Sequence, residues 1–335
     1  MKYISSLLYL LLFMACANGQ RVNVSQLTYN QILWYYNNVP FSGIAVNMSN
    51  GKQVLAEFTY KDGKLNGPWK QYNQNGRLKK EGNYLDNQPD GVEKEYVDMD
   101  NGKRFILEFI FKGGKLNGPH RSYYDNGQIT QEGNYLDGKL DGIEKTYDEN
   151  GKIMFEIPYK NGNKEGLQKE YRDGKLLWEH NYKNGQLHGL SKLYYLNGTL
   201  AQETTYIDGK YEGVSKSYDE KGRISWETPY KKNKIDGVQK EYKDGKLFFE
   251  TSYEEGIRNG PYKCYYENGR LNYEGTDVNG KTEGIEKKYD EKGKLEVETP
   301  FKNGKIDGVV KRYKNGKLDM ERTYKDGKFI SDKFY

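Results

Sequence analysis

Between Gly43 and Ile330 the chain repeatedly enters short runs in which every second residue is apolar or aromatic, and leaves them through clusters of Asp, Asn, Lys and Gly. Phe105, Leu107, Phe109 and Phe111 form one such series, and Ile153, Phe155, Ile157 and Tyr159 a second. Leu176, Trp178, His180 and Tyr182 form a third, and glutamate stands on the intervening parity. A period of two belongs to a strand with one covered face, not to a helix. The separators include Asp173-Gly174, Asn184-Gly185, Asp244-Gly245, Asn303-Gly304 and Asp326-Gly327, dipeptides that accept positive φ and close tight hairpins. The pattern predicts antiparallel hairpins in series.

The hairpins repeat. A glycine opens each copy, at Gly43, Gly67, Gly91, Gly118, Gly142, Gly166, Gly189, Gly213, Gly237, Gly260, Gly284 and Gly308, giving twelve repeats with a period of 24 residues and small departures. From Gly118 the lengths run 24, 24, 23 three times over, so a 71-residue module recurs at 118–188, 189–259 and 260–330. The short repeat is always the one with a compressed first turn, at Tyr171, Tyr242 and Tyr313. Residues 43–117 read as a diverged fourth copy, lengthened after Tyr96 and by one residue before Phe111. Residues 20–42 lead in, with a strand expected over 32–36 and a turn over 37–40, and residues 331–335 are expected to be a tail. Two strands per repeat give about 24 strands, and at ~4.8 Å per strand a twisted ribbon of roughly 115 Å. The fold class expected is therefore all-β: an elongated single-layer antiparallel meander or solenoid of tandem hairpins.

Composition fits a repeat array better than two globular domains. Of 335 residues only 35% are hydrophobic and 30% are charged, thin material for a thick core, yet enough where each repeat covers only its neighbours. An aromatic content of 14% at regular positions argues against a disordered chain. The net charge of +5 has both signs interspersed in every repeat, so the basic stripe that nucleic acid binding needs is missing.

Residues 1–19 read as an export signal: Lys2, an apolar run from Ile4 to Met14, then Ala15, Cys16, Ala17 and Gly19. Two cleavages are open. Ala15-Cys16-Ala17 fits a signal-peptidase site, whereas Phe13-Met14-Ala15-Cys16 resembles a lipobox in which Cys16 would carry the lipid. The location expected is the periplasm, outer membrane or surface of a bacterium, with membrane contact only through such an anchor. Cys264 is the other cysteine, so the mature chain has no internal disulfide, and its strand position suggests a packed side chain.

A glutamate stands three residues before the end of the second strand in every repeat, from Glu57 to Glu321, and a basic residue three after the opening glycine in eleven, from Lys70 to Lys311, with Val46 the exception. If the second turn is a two-residue hairpin, each Glu lies on one face with the next repeat's Lys, one rung diagonal to it. A register-fixing ladder is the plain interpretation. Tyrosine, 32 residues in all, ends most first strands. The doublets Tyr123-Tyr124, Tyr194-Tyr195 and Tyr265-Tyr266 are the candidate binding-face aromatics beside an ordinary packing role. His120, His180 and His188 lie in no metal-ligand spacing, although His180 and His188 flank one turn and could approach each other. With no P-loop, nucleophile elbow or dinucleotide fingerprint, the sequence indicates no catalytic, cofactor or metal residues and a non-enzyme.

The pattern PFSG followed by G-x-x-K-x-Y-[YD]-x-NGK-L-x-x-E-x-x-Y-K-[DN]-G-K-x-x-G resembles the MORN-repeat variant family, which includes proteins named YwqK-type antitoxins, over Ile32 to Ile330. The resemblance implies an elongated antiparallel sheet and a binding or scaffolding role. It leaves three partner classes: an envelope protein held by a scaffold, a toxin neutralised as the family name implies, or a surface glycan.

Overall fold

The computed structural model describes residues 19–99 and 102–335, so the apolar run and Cys16 of the expected export signal lie outside the described residues. Among the described residues the sole helical segment is the 3-10 turn Val24–Gln26; no helix is long and apolar enough to cross a membrane. The chain divides into two compact units after Asn163. In each, long strands pair antiparallel with their neighbours in sequence, and the sheet is not closed on itself. Among the described residues strand segments number 37 rather than about 24: eight second turns are followed by a separate two-residue pairing before the next long strand, and the lead-in and the last segment supply the other five.

One repeat shows why. Leu200–Ile207 turns back through Asp208 and Gly209, at φ 49° and 76°, and closes with Ile207 opposite Lys210 and Tyr206 opposite Tyr211. Continued without interruption, that register would put Glu203 opposite Val214. Instead the register slips by two residues after Glu212, whose N–H still donates to Thr205 O at 3.0 Å, and pairing resumes with Glu203 opposite Lys216. The two-residue step is the correction to the diagonal expected from sequence: Glu and Lys stand directly opposite. It also explains the opening glycine. At Gly237, φ is 115° and a Cβ would lie 3.1 Å from the Pro229 ring; at Gly260 it would lie 2.9 Å from Ser252 Cβ.

The step is tied to the next repeat by two kinds of bond. The turn glycine donates its N–H to the preceding repeat's extension, as in Gly209 N to Leu187 O at 2.8 Å and Gly256 N to Ile235 O at 2.7 Å. The residue before the opening glycine accepts the N–H of the turn residue, as in Asn184 N to Glu165 at 2.7 Å and Asn303 N to Glu283 at 2.7 Å. These caps satisfy the backbone that a positive-φ turn leaves unpaired.

In the first unit Gln20–Asn23 pairs in parallel with Gly43–Ser49, and Thr28–Tyr29, Trp34–Tyr36 and Val39–Pro40 form a small separate sheet. The expected strand over 32–36 is thus shorter, and the expected turn is a two-residue hairpin at Asn37 and Asn38, both at positive φ. Val22, Leu27, Phe41, Ala45 and Tyr60 make a dry core here, covering the end of the array as a terminal cap does. The diverged repeat from Gly91 pairs without a bulge from Gly91–Phe111 to Asp98–Arg104, so no residue is added before Phe111 and its extra length lies at the turn end.

In the second unit residues 331–334, expected as tail, belong to the strand Lys328–Phe334, where Lys333 stands opposite Glu321. Tyr335 donates to Glu321 at 2.6 Å, so this segment is a thirteenth half-repeat without its glycine.

Nearest-neighbour pairing predicts how deletions behave. Removing residues 189–259 rejoins equivalent points of two modules and leaves a cooperative fold in thermal denaturation. Removing 213–248, half as long, strands the remnant of Lys246–Glu254 without its hairpin partner and yields aggregated protein. Equal behaviour of the two deletions would contradict the picture.

Candidate functional site

One sheet face carries the charge ladder. In the second unit Lys192 lies between Glu179 and Glu203, Lys216 between Glu203 and Glu227, and Lys240 between Glu227 and Glu250, each directly opposite. The Lys–Glu approaches are long, 4.0 Å for Lys216–Glu203 and 3.9 Å for Lys240–Glu250. Half-exposed pairs at such distances contribute about 0.2–1 kcal/mol each. The glutamates have a closer partner that the sequence reading did not assign: the tyrosine ending the next repeat's first strand. Tyr147 donates to Glu132 at 2.7 Å, Tyr194 to Glu179 at 2.8 Å, Tyr218 to Glu203 at 2.9 Å, Tyr242 to Glu227 at 2.8 Å and Tyr265 to Glu250 at 2.8 Å. Burial first, and then this bond to a carboxylate, push each of these five phenols up to about 12. Glu203→Ala removes one such bond and its contact with Lys216, and the expected loss is about 1–2 kcal/mol in urea denaturation; an unchanged midpoint would leave the ladder without a structural role.

Beside the ladder on the same face runs a row of branched aliphatic residues, each next to an opening glycine. Val214, Val238 and Ile285 are 49%, 46% and 56% exposed. Leu190, Thr205, Val214 and Val238 border an open groove of about 600 Å³ that Glu203, Lys216, Glu227 and Lys240 also line. Their position was legible in the consensus as an apolar site after glycine; their exposure follows from the register and was not.

The opposite face is buried and largely polar. Ser191, Thr204, Ser215 and Thr251 are at most 5% exposed, and Thr204 and Ser215 hydroxyls meet at 2.6 Å. Trp69, His120 and Tyr262 take the same position in their repeats, each opposite a glycine, Gly82, Gly133 and Gly275. Burial lowers the pKa of His120, which stacks on Phe109 at 6.2 Å. His180 stacks on Trp178 at 5.0 Å, whereas His188 Nδ1 lies 3.3 Å from Asp208 in the cap series, so the two histidines have separate partners. Cys264 is 3% exposed and burial raises its pKa, which fits a packed thiol. Among the described residues no group of His, Cys, Asp and Glu is arranged to hold a metal.

Of the candidate aromatics, Tyr195 and Tyr266 donate to the backbone carbonyls of Tyr218 and Tyr289 at 2.8 and 2.7 Å, tying one turn to the next. Tyr123 and Tyr124 lie on the strand Gly118–Tyr124, and Tyr124 packs on Phe105 at 5.3 Å. Tyr194 and Tyr265 each line a notch at the turn edge. The first notch, about 330 Å³, has Lys175, Leu176, Leu196, Asn197 and Gly198 as its other walls. The second, about 250 Å³, has Lys246, Leu247, Glu267, Asn268 and Gly269, the same positions 71 residues on.

No curated protein matches the chain. The family model described as MORN repeat variant matches it six times, at residues 65–86, 116–137, 140–161, 187–208, 258–276 and 282–303. Each match takes in an opening glycine, the basic residue three after it, the tyrosine that ends the first strand, the first turn and the ladder glutamate. The chain carries repeats of the MORN repeat variant family in these six segments.

Proposed function

We propose that this protein is an exported, non-enzymatic repeat scaffold that binds another protein at the bacterial envelope. The observation that carries the reading is the exposed aliphatic row beside a neutral charge ladder, repeated along one face around a groove of about 600 Å³. Exposed apolar residues in a continuous row mark interaction surfaces. Because the tyrosine hydroxyls of that face are engaged by glutamate, its free chemistry is apolar and zwitterionic, which suits a protein surface better than a hydroxyl-rich glycan. Export rests on Lys2, the apolar run and the small residues from Ala15 to Gly19.

Affinity capture from envelope extracts tests it, with the full chain and a form lacking residues 189–259 as baits. The scaffold reading expects a specific protein retained less well by the shorter bait. A single tight partner that is itself toxic would move the protein to the antitoxin class, and polysaccharide retained in proportion to module number would make it a glycan binder. Capture of nothing specific by either bait overturns the reading.

A further inference from the structure

The two notches have one physical cause. The 23-residue repeats turn through only two residues, Asp173-Gly174 and Asp244-Gly245, so Arg172 pairs with Lys175 and Lys243 with Lys246. The following repeats turn through a longer loop, in which Tyr195 N donates to Thr199 O and Tyr266 N to Arg270 O. That longer loop leans away from the short one: Tyr195 and Asn197 bond to Tyr218 O and Glu220 O, and Tyr266 and Asn268 to Tyr289 O and Glu291 O. A gap is left behind it at each of the two junctions between 71-residue modules.

We propose that each notch is a subsite for one apolar side chain lying beside a carboxylate in a partner polypeptide. This rests on the reading of the protein as a protein-binding scaffold and names where and how the partner is gripped. The floor is Leu176 or Leu247 and one wall is a tyrosine ring whose hydroxyl is fixed by Glu179 or Glu250. A lysine stands at each rim. Lys175 Nζ has no hydrogen bond or ion pair among the described residues, and Lys246 Nζ has only Glu267 O, at 3.1 Å. An anion is the complement to that cation, and an apolar body the complement to the floor. A sugar fits worse. The Asn197 amide is consumed inside the protein, its Nδ2 by Glu220 O and its Oδ1 by Thr199 N, and Asn268 is consumed in the same way by Glu291 O and Arg270 N. Sugar hydroxyls held there would lose water without gaining partners. The notches lie six long strands apart, ~29 Å at ~4.8 Å per strand. A partner with two such side chains at that reach gains from effective concentration as well as from each contact.

The test is a titration of full-length protein, carbon-13 labelled at leucine methyls, with N-acetyl-L-tryptophan in its anionic form. The expected result is saturable shifts at the methyls of both Leu176 and Leu247, weakened about fivefold for the carboxamide of the same probe, as the loss of one exposed ion pair implies. Lys175→Gln should weaken the Leu176 response and leave that of Leu247, a readout that general unfolding could not give. The form lacking residues 189–259 juxtaposes Lys175 and Leu176 with Tyr265 and Asn268, so it should bind at one site instead of two. Methyls that do not shift, shifts equal for acid and amide, or shifts with glucuronate and not with the tryptophan derivative each overturn the proposal. Envelope capture succeeding while the methyls stay still would overturn the notch and leave the scaffold reading standing.

Discussion

Gly275→Ala is expected to destabilise the second unit by several kcal/mol, and Tyr262→Ser with Gly275→Thr to recover most of the loss. A Cβ on Gly275 would stand 2.4 Å from the Tyr262 hydroxyl oxygen and 2.5 Å from its Cζ, well inside van der Waals contact. The ring has nowhere to go. It is 7% exposed, packs 6.3 Å from Phe249 and 6.2 Å from Tyr273, and its hydroxyl donates to Glu286 at 2.6 Å. Overpacking of a held side chain costs about 1–3 kcal/mol, and loss of the buried hydroxyl's bond adds about 1. The rescue pair is taken from the protein itself: Ser191 faces Thr204 and Ser215 faces Thr228 at the equivalent positions. The same rule grades the other large residues. Gly133→Ala, whose Cβ would lie 2.4 Å from His120 Nε2, should resemble Gly275→Ala, and Gly82→Ala, 3.0 Å from Trp69 Nε1, should be milder. Urea midpoints of the single and double variants decide it; a double variant no more stable than Gly275→Ala would show that cross-strand size matching is not what the glycine provides.

That pairing was present in the sequence as Gly-Pro followed by Trp, His or Tyr, with Glu-Gly further on, but a list of hydrophobic positions does not say which residue faces which. The strands, turns and repeat boundaries were legible because a period of two and Asx-Gly dipeptides are local signals. The register was not, because it depends on a two-residue step whose only mark is the opening glycine. The Tyr–Glu bond could have been found. From Glu57 to Tyr72 and at every later repeat through Glu298 to Tyr313 the spacing is 15 residues, although repeat lengths vary, since all the variation falls between each tyrosine and the glutamate after it. A spacing held constant while its surroundings change marks a contact. The exposed aliphatic row and the notches lie further from the sequence, because exposure and relative turn height are outcomes of packing and no residue type encodes them.

The same Tyr–Glu bonds set an expected alkaline limit to the fold. The phenols of Tyr147, Tyr194, Tyr218, Tyr242 and Tyr265 are raised to about 12, above the ordinary value near 10 that they take when unfolded. Folding therefore favours the protonated form, so the contribution is whole below pH 10 and is lost as pH rises through about 12. Ionisation would also place a phenolate against the carboxylate it had been donating to, replacing a hydrogen bond by like-charge repulsion at 2.7–2.9 Å. These rings are half-exposed, so each bond alone contributes modestly. The effect becomes large because each joins one repeat to the next, and loss of several interfaces in one pH window removes the nearest-neighbour coupling on which a repeat array depends. Tyrosinate absorbance and far-ultraviolet circular dichroism, followed together from pH 9 upward, should show a steep ionisation step between about 10 and 12 that coincides with loss of strand signal. Tyr218→Phe keeps the ring and removes the proton, so it should subtract one phenol from that step. Tyrosines that ionise as one class near 10 while the strand signal persists would show that the carboxylate bonds do not hold the repeats together.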